Sequence, residues 1–158
     1  GIGKDSLTLA KMGYRVDAVD KERAALEALT QEINNLPITT HEIKIQDFLI
    51  IPTHYQIIIA NNSLPFILDK QIVLNTIEKM VGGLVTDGKL CFSLFGPKDE
   101  WALGENPKIS FFDYEEILGF LKTLPLKIYY QTTEEGLGKT MNKKLKYKQI
   151  HRFLGLKN

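Results

Sequence analysis

Residues 1–20 read Gly-Ile-Gly-Lys-Asp-Ser-Leu-Thr-Leu-Ala-Lys-Met-Gly-Tyr-Arg-Val-Asp-Ala-Val-Asp, and they give the clearest indication of the architecture. The opening glycine-rich turn lets a backbone approach a ligand closely, because glycine has no Cβ. A short apolar helix pattern follows, and then a strand that ends on Asp20. A carboxylate at that position can accept hydrogen bonds from both hydroxyls of a ribose. The stretch therefore predicts a nucleotide-binding turn, with a simple helix N-cap as the alternative role of Asp20.

Strand and helix patterns alternate along the rest of the chain. Asp113 is a candidate helix N-cap, with Glu116 at the spacing of a capping box. The order predicts an α/β fold, a doubly wound and mostly parallel sheet with a C-terminal antiparallel hairpin, in one domain over residues 1–158. The expected ranges are helices at 6–12, 21–34, 70–81 and 113–121, strands at 15–19, 40–45, 55–60, 89–94, 126–132 and 145–156, a turn at 86–88 and a hairpin loop at 134–143.

The sequence begins inside the glycine-rich turn, so the first strand, which should feed that turn, is missing from it. Either this strand exists outside the sequence, or the chain is truncated. A truncated chain would expose a long sheet edge, and a dimer through that edge then becomes possible.

The charge balance of the chain is close to neutral. Twenty Lys and Arg face nineteen Asp and Glu, which gives a net charge of +1 and no general attraction to nucleic acid or membranes. No segment approaches the roughly 18 apolar residues of a membrane helix. No signal peptide is visible, so we expect a cytoplasmic protein. The basic C-terminal stretch, which includes Lys146 and Lys148, is interpreted as a solvated loop or edge strand, with a phosphate-binding patch as the alternative.

The cysteine and the histidines of this sequence indicate neither a disulfide nor a metal site. Cys91 is the only cysteine and lies in an apolar run, so we expect it to be buried, and no disulfide can form within the chain. His41 and His54 are separated in sequence and stand in contexts typical of loops, and no role is assigned to His151. We therefore predict no metal site.

Polar residues follow several of the predicted strands. Because the carboxyl ends of parallel strands form the ligand-binding edge of a doubly wound sheet, we expect these residues to lie at one edge. Asp47 can accept a hydrogen bond from an exocyclic amine, and Phe48 offers a ring to a base; a turn aspartate and a core phenylalanine are the alternative. The strand-end residues are Asp20, Asp47, Asn61, Asn62, Phe95 and Gly96.

Together these motifs resemble the class I S-adenosylmethionine-dependent methyltransferases, and more closely the small bacterial branch of the tellurite-resistance type. Residues 1–7 match the end of the first motif of that family, and residues 9–20 follow its continuation nearly position by position. Residues 62–66, Asn-Ser-Leu-Pro-Phe, resemble its fourth motif. The resemblance covers essentially the whole chain and implies a Rossmann-like fold. It also includes Leu94-Phe95-Gly96, Asp99, Trp101, Asn106-Pro107 and Phe111.

The resemblance implies that S-adenosylmethionine is the cofactor. Gly1 and Gly3 would pass close to its methionine and ribose. Asp20, with Lys21 beside it, would bind the ribose hydroxyls. The remaining implied contacts are Asp47 and Phe48 with the adenine, Asn61 and Asn62 with the methionine part, and Leu64, Pro65, Phe66, Phe95 and Trp101 with the acceptor.

The activity that the resemblance implies is methyl transfer to a small molecule: a thiol, an amine, a carboxylate or a metalloid. The neutral charge argues against a nucleic-acid acceptor. Two alternatives stay open: a nicotinamide-dependent oxidoreductase, against which Asp47-Phe48 and Leu64-Pro65-Phe66 speak, and a non-catalytic binding protein of the same fold. The sequence supports no catalytic base; Tyr14, Asp99 and His151 are the residues that could be considered.

Overall fold

The computed structural model describes residues 3–104, 109–140 and 144–158. Two features singled out above, Gly1 and Asn106-Pro107, lie outside these ranges. The chain divides into two compact units, and each is described by itself. The expectation of a single domain stays a prediction.

The first unit, Gly1–Leu49, is built on two parallel strands. Strand β1 (Val16–Asp20) pairs with β2 (Ile38–Glu42), so the carboxyl ends of both strands lie at the same edge. Helix α1 (Lys4–Lys11) precedes β1, and α2 (Arg23–Glu32) connects the two strands. The buried apolar side chains of the unit are Ala10, Ala18, Leu26 and Leu29.

Gly3 is the described glycine of the turn, and it stands immediately before α1. Its φ of 76° lies in the left-handed region, which side chains rarely adopt. A Cβ at Gly3 would also lie 2.5 Å from Cδ1 of Leu29. Both the backbone conformation and the packing of α2 therefore require glycine here.

The second unit, Ile50–Asn158, contains one four-stranded sheet. Its elements are β3 (Tyr55–Ala60), α3 (Lys70–Gly83), β4 (Leu84–Phe95), α4 (Tyr114–Leu121), β5 (Leu126–Lys139) and β6 (Leu145–Lys157), with short 3-10 helices at Leu64–Phe66 and Glu100–Leu103. The strand order is β3-β4-β6-β5. β3 and β4 are parallel, whereas β6 is antiparallel to both β4 and β5.

The core of the second unit is formed by β4, β6 and the two helices. Phe92 of β4 lies opposite Phe153 of β6, and their rings stack with centres 5.1 Å apart. Burial of a large apolar side chain contributes about 1.5–3 kcal/mol, so this layer is a principal source of stability. Buried apolar residues of the two helices are Val73, Ile77, Met80, Val81, Ile117 and Leu121.

The α/β class and most element positions are confirmed. β3 has the predicted bounds, and α4 begins directly after Asp113. The Asp113 carboxylate accepts a hydrogen bond from the amide of Glu115, and the side chain of Glu116 completes the capping box. These elements were predictable because their signals are local.

The prediction that a turn at 86–88 precedes β4 is wrong, because β4 begins earlier, at Leu84. The pairing register with β3 shifts between Tyr55 and Ile57, and Asp87 has a φ of 60°. The turn-forming residues thus make a bulge inside the strand, where one strand carries extra residues against its partner.

The predicted hairpin loop at 134–143 is also wrong over residues 134–139, because β5 continues to Lys139 and pairs with β6 as far as Leu145. Residues 141–143 of the predicted loop lie outside the described ranges. Glycine and, to a lesser degree, glutamate are depleted in strands, which is why the sequence pattern favoured a loop here. β5 is the outer strand of the sheet, where polar side chains are tolerated because they face solvent. β2 was placed too late, at 40–45, and lies at Ile38–Glu42.

Candidate functional site

In the first unit, Asp20 is the last residue of β1, and Gly3 immediately precedes α1, as the turn motif predicts. Asp20 is half-buried, and its Oδ1 accepts a hydrogen bond of 2.9 Å from the amide of Glu22. Glu22, and not Asp20, is the N-cap residue of α2, so the N-cap interpretation of Asp20 is wrong; its carboxylate closes the turn between β1 and α2. Lys21 is exposed and lies 3.7 Å from the carboxylate of Glu22.

Phe48, the predicted adenine contact, packs against an aromatic neighbour that the sequence analysis missed. Its ring centre lies 5.0 Å from that of His41. The Nε2 atom of His41 lies 2.8 Å from Oδ1 of Asp17, so a carboxylate on β1 orients the imidazole. His41 is in β2, in agreement with the strand predicted at 40–45, and not in the loop context assigned to this histidine. Asp47 is exposed, next to Phe48.

In the second unit, Asn61 and Asn62 follow β3 directly, as predicted. Asn62 has a φ of 53°, a left-handed conformation that asparagine tolerates better than most residues. The buried hydroxyl of Ser93 accepts a 2.8 Å hydrogen bond from the amide of Asn62 and lies 3.3 Å from its Oδ1. Cys91 is only partly buried, contrary to expectation, and its Sγ lies 3.7 Å from Oδ1 of Asn61.

The five predicted acceptor contacts fall into two groups. Leu64 and Pro65 are buried in the 3-10 helix that follows the Asn61-Asn62 loop and expose almost no surface. Phe66 is 46% exposed and Trp101 36% exposed, whereas Phe95 is nearly buried. Only Phe66 and Trp101 therefore present substantial aromatic surface in this region.

Phe66, Phe95 and Trp101 form one cluster, which we call the aromatic triad. Their ring centres are 5.9 Å apart for Phe66 and Phe95, 6.2 Å for Phe66 and Trp101, and 5.7 Å for Phe95 and Trp101. All three pairs meet edge to face, the geometry that the ring quadrupoles favour. The structure thus brings together three residues that the sequence analysis assigned to one pocket.

A buried ion pair supports the triad, and the sequence analysis missed it. The ammonium of Lys146 contacts Oδ1 of Asp99, and the two side chains are 4% and 0% exposed. The same ammonium lies 3.6 Å from the centre of the Trp101 ring and 5.3 Å from that of Phe95. The interpretation of the basic stretch as solvated is therefore wrong at Lys146. No local signal marks the contact, because the partners are 47 residues apart.

Asp99 is held by the backbone as well as by Lys146. Its Oδ1 accepts a 3.1 Å hydrogen bond from the amide of Trp101, and its Oδ2 accepts a 3.2 Å bond from the amide of Gln149. Buried carboxylates are tolerated when their oxygens are satisfied in this way. Asp99 therefore fixes the Trp101 segment to β6 and is not placed as a base.

The side chain of Gln149 extends this network to β5. Its Oε1 accepts a hydrogen bond from the amide of Lys98, and its Nε2 donates to Glu135 at 2.6 Å. This bond, and a second from the hydroxyl of Tyr147, hold the pKa of Glu135 below its usual value. The same contact with Glu135 raises the pKa of Tyr147.

His151 is buried between β5 and the segment before α4. Its Nε2 lies 3.1 Å from the carbonyl oxygen of Phe112, so Nε2 carries the donated hydrogen, and Nδ1 lies 2.8 Å from the hydroxyl of Thr133. Burial lowers the pKa of His151, although the Phe112 carbonyl and the charges of Asp113 and Glu135 act in the opposite direction. The imidazole is thus neutral and structural.

Among the described residues, no group of three or more His, Cys, Asp and Glu side chains is arranged to bind a metal ion. No helix in the described part of the chain is long and apolar enough to span a membrane. The assignment of Asp20, Asp47, Asn61 and Asn62 to one edge of a sheet stays a prediction, because they lie in separate units.

Comparison with protein families gives one match, to the family model of the tellurite resistance protein TehB, over residues 1–90. No curated protein sequence matches the chain. The matched range includes the glycine-rich turn, Asp20, Asp47, Phe48 and the Asn61-Asn62 loop.

Solved structures with the same fold include several methyltransferases. An S-adenosylmethionine-dependent methyltransferase from Methanosarcina mazei has a TM-score of 0.77 at 16% identity, over 99% of this chain and 88% of its own. TehB from Haemophilus influenzae has a TM-score of 0.80 at 20% identity, over 100% of this chain and 55% of its own, so the chain spans about half of that structure. The N-methyltransferase NodS from Bradyrhizobium japonicum scores 0.71 at 16% identity, over 99% and 81%. The predicted class I methyltransferase fold is confirmed.

Proposed function

The chain belongs to the family of the tellurite resistance protein TehB, and on this premise we propose that it is an S-adenosylmethionine-dependent methyltransferase that acts on a small molecule. Its fold is that of S-adenosylmethionine-dependent methyltransferases. The observation that carries the proposal is the glycine-rich turn and Asp20 within the residues matched by the family model. A cytoplasmic location and a dimer through a sheet edge stay predictions.

The residues of the first unit suit the nucleoside part of the cofactor. Gly3 keeps the turn free of a side chain, and Asp20 supplies a carboxylate for the ribose hydroxyls. Phe48 offers a ring to the adenine, and the contact with His41, itself held by Asp17, limits the orientations of that ring. Asp47 supplies an acceptor for the exocyclic amine.

The residues of the second unit suit the reacting part. S-adenosylmethionine, when bound, supplies a methyl group that is already activated by the sulfonium. The chain then has to position the acceptor and exclude water, which needs no charged catalytic group. Ser93 fixes the conformation of Asn62, so that loop is held ready for the methionine part. The aromatic triad excludes water next to the acceptor.

The proposal is tested by calorimetric titration of S-adenosylhomocysteine into the chain and its Asp20→Ala variant. Loss of the carboxylate should weaken binding by about tenfold or more, which corresponds to about 1.4 kcal/mol. Glu27→Ala is the matched control, because Glu27 is an exposed carboxylate of the same unit, paired with Arg23 on α2.

Three results would count against the proposal. If Asp20→Ala and Glu27→Ala weakened the binding of S-adenosylhomocysteine equally, Asp20 would not be a specific contact of the cofactor. Binding of a nicotinamide dinucleotide in place of S-adenosylhomocysteine would favour the oxidoreductase alternative. Saturable binding without methyl transfer to any thiol, amine, carboxylate or metalloid would favour a non-catalytic protein of the same fold.

A further inference from the structure

We propose that Ser110 is a positioning residue of the acceptor site: it holds the two residues that flank Phe66 and thereby fixes the Phe66 ring within the aromatic triad. The inference rests on the proposed function, because it takes the triad to contact the methyl acceptor. It goes further by assigning the geometry of that surface to a residue outside the triad. Ser110 also lies beyond the range matched by the family model, which ends at residue 90.

Phe66 belongs to a segment that receives little support from its own hydrogen bonds. It is the last residue of the 3-10 helix Leu64–Phe66, which is three residues long. Helices of this kind have poor hydrogen-bond geometry and seldom run much further, so contacts from elsewhere have to hold them. In the described part of the chain, the side chain of Ser63 makes no capping hydrogen bond to this helix. We therefore expect the position of the Phe66 ring to be set from outside the segment.

Ser110 supplies such support on both sides of Phe66. Its amide donates a 2.7 Å hydrogen bond to the carbonyl oxygen of Pro65, and its hydroxyl donates to the carbonyl oxygen of Ile67. Ser110 is 3% exposed, and Pro65 and Ile67 are buried as well, so water competes little for these bonds. Because both neighbours of Phe66 are held, its backbone has little freedom and its ring keeps one direction.

The residues that follow Ser110 connect the same segment to Phe95. Phe111 forms a parallel backbone bridge with Phe95, the last residue of β4. The amide of Phe112 donates a 2.8 Å hydrogen bond to the carbonyl oxygen of Phe95. Residues 110–112 thus bond to the backbone beside both rings, which meet edge to face with their centres 5.9 Å apart.

The hydroxyl bond of Ser110 can be removed without a change in the backbone. Ser110→Ala leaves the buried carbonyl of Ile67 without its donor. An unpaired buried acceptor is costly, so the segment should shift until water or another group reaches that carbonyl. We expect Phe66 to lose its fixed position, whereas the cofactor contacts proposed for Gly3 and Asp20 should be unaffected.

Trp101 is the only tryptophan of the chain and contacts Phe66, so its fluorescence measures this shift. In folded Ser110→Ala, the acrylamide quenching constant of Trp101 should rise above that of the unmodified chain, because Phe66 shields the indole less. The matched control is Thr76→Val, which removes a buried hydroxyl bonded to the Ile72 carbonyl inside α3. Unchanged quenching in Ser110→Ala, or an equal rise in Thr76→Val, would overturn the inference.

Methyl transfer gives a second measurement, which a purely stabilising role of Ser110 would not change. The probes are 2-mercaptoethanol and selenite, a thiol and a metalloid acceptor. Ser110→Ala should raise the KM of the acceptor about fivefold, the equivalent of one hydrogen bond of about 1 kcal/mol, with kcat nearly unchanged. Thr76→Val should change neither constant. A fall in kcat at an unchanged KM would contradict a role in positioning the acceptor.

Two further rules keep the test decisive. If neither probe is methylated, the comparison of the quenching constants decides alone. If Ser110→Ala does not fold, Ser110→Cys takes its place, because a thiol keeps the shape of the side chain and donates only weakly. It should give the same changes at a smaller size.

The failure of this inference can be distinguished from that of the proposed function, because S-adenosylhomocysteine is titrated into the same samples. Its dissociation constant should be the same for the unmodified chain and for Ser110→Ala, and a weakening as large as the rise in KM would overturn the inference. Normal binding with unchanged quenching also overturns the inference and leaves the proposed function intact. No binding to the unmodified chain would overturn the proposed function, and with it the role of Ser110 in positioning an acceptor.

Discussion

Two lysine–carboxylate pairs in the second unit have the same chemistry and opposite surroundings. Lys146 and Asp99 are 4% and 0% exposed, whereas Lys70 and Glu116 are 49% and 44% exposed. Each ammonium also lies over an aromatic ring, at 3.6 Å from the ring centre in the buried pair and 5.0 Å in the exposed pair. Water screens the exposed pair and solvates either partner if the other is removed. We therefore expect burial, more than the identity of the partners, to decide what each ion pair contributes to stability.

The largest expected effect separates these two pairs directly. Lys146→Met leaves the Asp99 carboxylate buried without its counter-ion, and such changes cost about 3–5 kcal/mol. Lys70→Met should change the free energy of unfolding by about 0–1 kcal/mol, because Glu116 remains hydrated. Urea unfolding measures both. Adding Asp99→Asn to Lys146→Met should recover part of the loss, and similar losses in the two single variants would contradict the comparison.

We expect a smaller effect for the contrast between a buried and an exposed hydroxyl group. Ser93 is fully buried and holds Asn62, whereas the hydroxyl of Thr123 bonds to the carbonyl of Phe120 in an exposed position. Ser93→Ala should lower stability by about 1 kcal/mol and weaken the binding of S-adenosylhomocysteine, because the Asn62 loop loses its support. Thr123→Ala should leave that binding unchanged. Calorimetry on both variants would contradict the role of Ser93 if the dissociation constants stayed equal.

The smallest expected effect is a pH dependence of stability that arises from His151. It appears only as the pH falls below neutrality. Burial lowers the pKa of His151 in the folded protein, so the unfolded chain takes up its proton first as the pH falls below about 6.5. The stability associated with a neutral His151 is therefore full above that pH and is lost as the pH falls through the folded pKa. His151→Gln should flatten this decline in unfolding experiments from neutral to mildly acidic pH. His41→Gln, at a side chain that is 32% exposed, is the control, and equal flattening would contradict the assignment to burial.

The features that were predicted correctly from the sequence arise from short-range patterns along the chain. The alternation of strands and helices, the capping box at Asp113, and the positions of Gly3 and Asp20 all follow from residues close together in the chain. The aromatic triad was also predicted, but only because a family resemblance assigned Phe66, Phe95 and Trp101 to one pocket.

The parts that were missed depend on strand register. Lys146 reaches Asp99 only because β6 lies beside β4, and neither the spacing of 47 residues nor the surrounding lysines indicates this. His41 reaches Asp17 by the pairing of β1 with β2. Buried charges of this kind depart from the usual hydrophobic pattern, so local rules do not predict them.

The strand order β3-β4-β6-β5 also has a kinetic consequence. β5 contacts the rest of the sheet only through β6, although β5 comes earlier in the chain. The β5–β6 hairpin is a local structure that can form by itself on a microsecond timescale, about 1–10 μs for simple hairpins. Its docking onto β4 is a non-local step that closes a long loop and delivers Lys146 to Asp99. We therefore expect the rate of folding to be set by this late docking, and the aromatic triad to be the last part of the second unit to become ordered.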